Sequence, residues 1–219
     1  MARGIGAYRD RDEAGEVLAR QLVRFRWRAP IVLAIPNGGV PVGLRIHERL
    51  GGDFGLLVVR KLHIPWNREA GFGAVAPDGT VAFNEPLRAA LGLSERDEAA
   101  VIDEEKAEIA RRVSAYGAGY LPSVEGRTAI LVDDGLASGY SMLVAANFVR
   151  KRNPAELVVA VPTGSAEAVA RVRTAVDRLV CPDTRGGPVF AVADAYREWR
   201  DLSDEEVASL VRAGGGRIR

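Results

Sequence analysis

The stretch best equipped for chemistry reads Ile130-Leu131-Val132-Asp133-Asp134-Gly135-Leu136-Ala137-Ser138-Gly139-Tyr140-Ser141-Met142. Its apolar start predicts a buried strand, and two adjacent carboxylates, Asp133 and Asp134, follow at the strand end. Such a pair is costly to bury without partners. It calls for a cation or for hydroxyl donors, and the 2′,3′-diol of a ribose supplies the latter. Gly135 and Gly139 permit a tight turn and close backbone approach. A helix is expected next, so the amides of residues 137–141 would form an anion site at its N-terminus. Ser138 and Ser141 add hydroxyl donors, while Leu136, Ala137 and Tyr140 complete the loop. A diol clamp beside a phosphate cradle is the spacing of a sugar phosphate.

Two other segments could serve such a ligand. Pro36-Asn37-Gly38-Gly39-Val40-Pro41 lies between an expected strand and an expected helix, where Gly38 and Gly39 can expose consecutive amides. Arg60 and Lys61 follow Val58-Val59 and are expected at the end of the second strand, where two cations would meet anionic groups. Beyond them, His63, Trp66, Asn67 and Glu69 are candidates for an acceptor pocket or a mobile loop. Trp66 is read either as a platform for a flat ring or as a packing residue. His47 is expected to be a surface or satisfied histidine. Cys181 precedes Pro182 and has no evident base partner, which argues against a nucleophile. Two distant histidines and no cysteine cluster give no zinc site.

The elements that must position these residues alternate. Helices are expected over Asp12–Phe25, Val40–Leu50, Ser94–Ser114, Gly139–Arg150, Ala166–Thr174 and from Ser203 to Val211. Strands are expected over Ile31–Ile35, Phe54–Val59, Thr128–Val132, Leu157–Val161, Arg178–Cys181 and Val189–Val192. Residues 74–76 and 80–83 flank Pro77-Asp78-Gly79 and read as a hairpin. Ser94 with Asp97 and Ser203 with Glu206 resemble capping boxes. Tyr116–Ser123 reads as a linker and Ala213–Arg219 as a frayed tail. Strands separated by helices predict an α/β fold: a mostly parallel sheet covered on both faces, with ligands held beyond the carboxyl ends of its strands.

The chain has 219 residues, 47% of them hydrophobic, and a net charge of +1. One α/β domain fits this length, and the neutral balance argues against nucleic acid as a partner. A single cysteine rules out an internal disulfide and favours a reducing compartment, so the cytoplasm is the expected location. No apolar run approaches a membrane span.

Ile130–Met142 resembles, position by position, the signature loop of the type I phosphoribosyltransferases. The likeness extends from Tyr8-Arg9-Asp10-Arg11 to Ser203-Asp204-Glu205-Glu206. Small bacterial and archaeal members also share Arg60-Lys61, an apolar-Pro stretch and a Gly-Ala-Val hairpin, here Gly73-Ala74-Val75. The resemblance implies a five-stranded parallel core, an inserted hairpin and long helix over about 71–123, and a hood that includes about 182–219. It implies a pentosyltransferase of nucleotide metabolism that uses phosphoribosyl diphosphate (PRPP) and Mg²⁺, displaces pyrophosphate from ribose C1, and forms a homodimer. Asp133 and Asp134 would bind the diol, offset positive charge at C1 and meet the metal through water. Gly135–Ser141 would anchor the 5-phosphate. Pro36, Asn37, Gly38 and Gly39, with Arg60 and Lys61, would hold the pyrophosphate. Two departures matter. Asn37 stands where many members have Arg, which removes a bidentate phosphate contact. Ala137 stands where hypoxanthine–guanine enzymes have Asp, which disfavours 6-oxopurine acceptors. A non-catalytic PRPP sensor is the main alternative; a sugar-phosphate hydrolase or isomerase would need a base that the sequence does not reveal.

Overall fold

Alternating burial organises the molecule. The computed structural model describes residues 6–116, 121–187 and 190–214. Asp10 caps helix α1 (Arg11–Leu22), its side chain accepting from the Glu13 amide; a 3-10 turn follows at Val23–Phe25. Strand β1 (Ile31–Ala34), helix α2 (Gly39–Leu50) and strand β2 (Asp53–Leu56) come next. The chain then leaves this layer for β3 (Arg60–Ile64), β4 (Asn67–Val75) and β5 (Val81–Phe83), and for helices α3 (Glu85–Leu91) and α4 (Glu95–Tyr116). It returns through β6 (Thr128–Val132), α5 (Tyr140–Arg150), β7 (Glu156–Ala160), β8 (Thr163–Ser165), α6 (Ala166–Arg173), β9 (Arg178–Val180) and β10 (Asp183–Arg185). It ends in α7 (Asp204–Ala213).

The main sheet has five strands in the order β2-β1-β6-β7-β9, all parallel. Its central strands are buried on both faces, and alternate residues enter different cores. Val32, Ala34, Ile130, Val132, Val158 and Ala160 join α1, α2, α4 and α7 on one side. Ile31, Leu33, Ala129, Leu131, Leu157 and Val159 join α5 and α6 on the other. A two-residue period therefore becomes a sheet with helices on both faces. Chain order reverses around β1, which pairs with β2 on one side and β6 on the other. The loops leaving β1 and β6 thus emerge side by side at the switch point, where open α/β sheets bind ligands.

Strands β3, β4 and β5 form a separate antiparallel sheet. Glutamates of α4 reach back to β3, and α4 also packs on α7. The terminal segments meet across the switch point: Tyr8 bridges Tyr196, and both share a small core with Ala14 and Ala195. The expected capping box at Ser203 and Glu206 is present with both reciprocal bonds. At Ser94 the hydroxyl accepts from the Asp97 amide and donates to its carboxylate.

Several expectations are corrected. The second core strand ends at Leu56 rather than Val59, because Leu57–Val59 turn away as a buried connector. Arg60 and Lys61 therefore open the hairpin sheet instead of ending a core strand. Val192 starts a 3-10 turn through Ala195 and is not in a strand; Val189 lies outside the described residues. Tyr116 is the buried last residue of α4 and not part of a linker, and residues 117–120 lie outside the described residues. The tail expected from Ala213 is still helical there, with 215–219 outside the described residues. His47 is not satisfied: its Nδ1 is buried without a partner, and desolvation lowers its pKa.

Candidate active site

The loop after β6 has the geometry that its residue types predict. Asp133 and Asp134 sit at the strand end, and the Asp134 amide donates to Asp133 Oδ1 (2.8 Å). Gly135 packs directly under Val192, where an added Cβ would lie 2.6 Å from a methyl carbon. Leu136 is buried and exchanges backbone bonds with the β8 segment: its amide donates to Thr163 O (3.0 Å), and its carbonyl accepts from Ser165 (2.9 Å). Gly139 adopts φ +81° at the N-cap of α5 and brings no capping side chain. Among the described residues, the hydroxyls of Ser138 and Ser141 and the amides of 137–139 have no protein acceptor. That leaves donors directed by a helix start and free for an anion. The loop is braced from outside: Ser165 Oγ donates to Ala137 O (2.9 Å), and Arg171 donates to Ser138 O while lying over the Tyr140 ring. A cavity of about 430 Å³ opens beside Ala137 and Ser138, bounded also by Ser165, Arg185 and Phe190.

The loop after β1 touches it. The Pro36–Asn37 peptide is cis. A Cβ at Gly38 would fall 1.8 Å from Asp134 Oδ2, and one at Gly39 would fall 2.8 Å from Val132 O, so both glycines are needed for the loops to meet. The expectation of two exposed amides is half right. Gly39 donates to Ile35 O (3.1 Å) and begins α2, whereas Gly38 has no protein acceptor among the described residues. The Asn37 side chain faces inward. Its amide donates to Leu202 O (2.7 Å) and Asp204 Oδ1 (3.1 Å), and its oxygen accepts from Arg112 (2.8 Å) and the Tyr116 hydroxyl (2.7 Å).

The basic pair is engaged elsewhere. Arg60 donates to Glu105 Oε2 (2.8 Å), and Lys61 Nζ donates to Glu69 O (2.7 Å). His63 is buried against Glu105 Oε1 (2.9 Å). Trp66 is 68% exposed at the β3–β4 turn, so packing does not explain it. Asn67 accepts from the Glu69 amide in a local turn. Arg60 and His63 are thus engaged by Glu105 of α4, and Lys61 by the hairpin's own backbone.

The group that does reach the two loops is Arg11, which sequence reasoning passed over. Its Nε donates to Asp134 Oδ2 (2.8 Å), and Nη1 donates to Arg200 O (2.7 Å). Its guanidinium lies 3.9 Å from the Trp199 ring centre. Tyr196 adds a hydroxyl bond to Asp134 O (2.7 Å). Electrostatics follow from this packing. Burial, then the neighbouring charge of Asp134, push the Asp133 carboxyl well above its ordinary range. Burial also raises Asp134, and Arg11 opposes that rise. Burial and mutual repulsion thus both work against ionising the pair.

A phosphoribosyl transferase domain model matches residues 8–194. The chain belongs to the phosphoribosyl transferase family. Two Mycobacterium tuberculosis proteins, from strains CDC 1551 / Oshkosh and H37Rv and provisionally named phosphoribosyl transferases, are 35% identical over 204 residues. These span 92% of this chain but 46% of theirs, so the chain covers about half the length of those relatives. The crystal structure of the Thermus thermophilus protein TT1426 is 32% identical with a TM-score of 0.78, covering 95% of this chain and 99% of that one. The five-stranded parallel sheet is the type I phosphoribosyltransferase fold.

In this family member, no helix of the described residues is long and apolar enough to cross a membrane. Nor do the described residues contain a cluster of three or more His, Cys, Asp or Glu fit to cage a metal. Another cavity, about 550 Å³, lies between the start of α1, α2, α7 and the 198–202 segment; Arg11 and Trp199 line it, and its other arginines, 45 and 200, are paired with Asp12, Glu48 and Glu206.

Proposed function

We propose that this chain is a pentosyltransferase that binds PRPP with Mg²⁺ and transfers the 5-phosphoribosyl group to an acceptor, releasing pyrophosphate. The observation that carries the reading is the contact of the two loops at the switch point: a paired-carboxylate strand end and an uncapped helix start on one, a glycine turn on the other. Together they match the diol, 5-phosphate and diphosphate of one ligand.

In this reading the 5-phosphate takes the amides of 137–141 and the hydroxyls of Ser138 and Ser141. The ribose 2′- and 3′-hydroxyls donate to Asp133 and Asp134, whose negative charge also favours a cationic ribose in the transition state. The Gly38 amide faces the diphosphate. Two carboxylates, one of them bonded to Arg11, fit Mg²⁺ held chiefly by substrate oxygens and water, with Asp133 and Asp134 reaching it through water. The bound ion would neutralise the departing pyrophosphate. Ala137 leaves no carboxylate for a purine N7, so adenine, a pyrimidine or a non-nucleobase nucleophile suits the acceptor better than a 6-oxopurine. A cytoplasmic homodimer is part of the same reading.

The test is a panel of acceptors assayed for pyrophosphate release from PRPP. Release with one acceptor, abolished in Asp133→Asn/Asp134→Asn, supports transfer. Tight PRPP binding with no release across the panel would replace this reading with that of a PRPP sensor.

A further inference from the structure

A site for a diphosphate needs a cation, and the two expected from sequence belong to the hairpin sheet: Arg60 is paired with Glu105, and the exposed Lys61 donates to the Glu69 carbonyl. The loop after β1 has Asn37 where a guanidinium would have helped, and Asn37 is turned inward among Leu202, Asp204, Arg112 and Tyr116. Arg112 is paired with Asp204 (2.6 Å). The guanidinium that stands at the junction of the loops is Arg11. It bonds the same Asp134 oxygen that Gly38 abuts.

Arg11 is held but not saturated. Trp199 stacks on it, and the Arg200 carbonyl takes Nη1. Its Nη2 has no protein acceptor among the described residues, and Arg11 lines the cavity of about 550 Å³ beside Trp199. A ribose diol donating to Asp134 would compete for the oxygen that Arg11 now occupies. An anion at Gly38 would lie beside the guanidinium released by that competition.

Resting on the PRPP reading above, we propose that Arg11 is the cation of the pyrophosphate subsite. It guards Asp134 in the free protein and passes to the diphosphate when the diol takes its place. The exchange makes the site selective: a ligand with both diol and diphosphate compensates for the broken ion pair, whereas ribose 5-phosphate does not. Arg11 thereby supplies the charge that Asn37 removes. Trp199 and the Arg200 carbonyl keep the guanidinium within reach of both partners.

The experiment is calorimetry of PRPP with Mg²⁺ and, separately, of ribose 5-phosphate, on wild type, Arg11→Gln and Arg11→Lys. A charge-assisted hydrogen bond contributes about 1.5–3 kcal/mol, so Arg11→Gln should weaken PRPP about 10- to 100-fold. Ribose 5-phosphate should bind Arg11→Gln as well as wild type or better, because its competitor for Asp134 is gone. Arg11→Lys, which keeps the charge without the fork, should fall between the two for PRPP and match wild type for ribose 5-phosphate. Equal losses for both ligands in Arg11→Gln, or undiminished PRPP binding, would overturn the proposal. If Arg11→Gln loses its cooperative melt, Arg11→Lys decides alone, and equal losses for both ligands again overturn it. Wild type that binds neither ligand would instead overturn the PRPP reading beneath it.

Discussion

Asp133, in the loop after β6, and Asp204, bonded to Asn37 of the loop after β1, are held in opposite ways. Asp204 accepts from Arg112, Tyr116 and Asn37, and these donors, Arg112 foremost, hold its carboxyl well below the ordinary range. Asp133 has one amide donor and a carboxylate neighbour, and burial drives its carboxyl up. Glu105 belongs with Asp204: it is buried between Arg60 and His63. Carboxylates satisfied by the protein hold α4 and α7 to the loop after β1 and to the hairpin sheet. Carboxylates left short of donors mark the place where a ligand completes the arrangement.

That contrast predicts stability changes of different size and sign, read by urea unfolding. Glu105→Ala should cost about 4 kcal/mol, since it strands a buried histidine and removes the partner of Arg60. Asp204→Asn should cost about 2 kcal/mol at neutral pH, and this cost depends on pH. A carboxyl depressed in the folded state stabilises above its unfolded value, near 4, and loses that contribution as pH falls below it. The gap between wild type and Asp204→Asn should therefore close in acid. Asp133→Asn should go the other way, raising stability by about 1 kcal/mol while abolishing PRPP binding, because it removes repulsion and keeps an acceptor for the Asp134 amide. If Asp133→Asn destabilises as Asp204→Asn does, the two carboxylates are not different in kind and the contrast fails.

How much was legible in the sequence follows the same division. The Asp133–Ser141 loop carries its own geometry: an apolar strand, a glycine able to take φ +81°, and a helix start lie within a dozen residues. The sheet was legible because burial on both faces leaves short runs of Ile, Val, Leu and Ala within Ile31–Ala34, Thr128–Val132 and Glu156–Ala160. Arg60 and Lys61 were misplaced because their orientation is set by Glu105, forty-five residues away from Arg60, and by a hairpin that begins earlier than its glycines suggest. Arg11 lies just before the helix expected from Asp12, and nothing in its neighbours sets it apart. Its partners, Asp134, Trp199 and Arg200, come from distant parts of the chain. Asn37 was read as a lost contact with ligand, whereas the structure makes it a tie between α4, α7 and the loop.

The central claim is that the strand end at Asp133 and Asp134 receives the ribose of PRPP. Calorimetric titration with PRPP and Mg²⁺ tests it most directly, on wild type and Asp133→Asn/Asp134→Asn. Saturable one-to-one binding to wild type and none to the double variant, with its cooperative melt intact, is the predicted result. Equal binding by the two proteins would contradict the account.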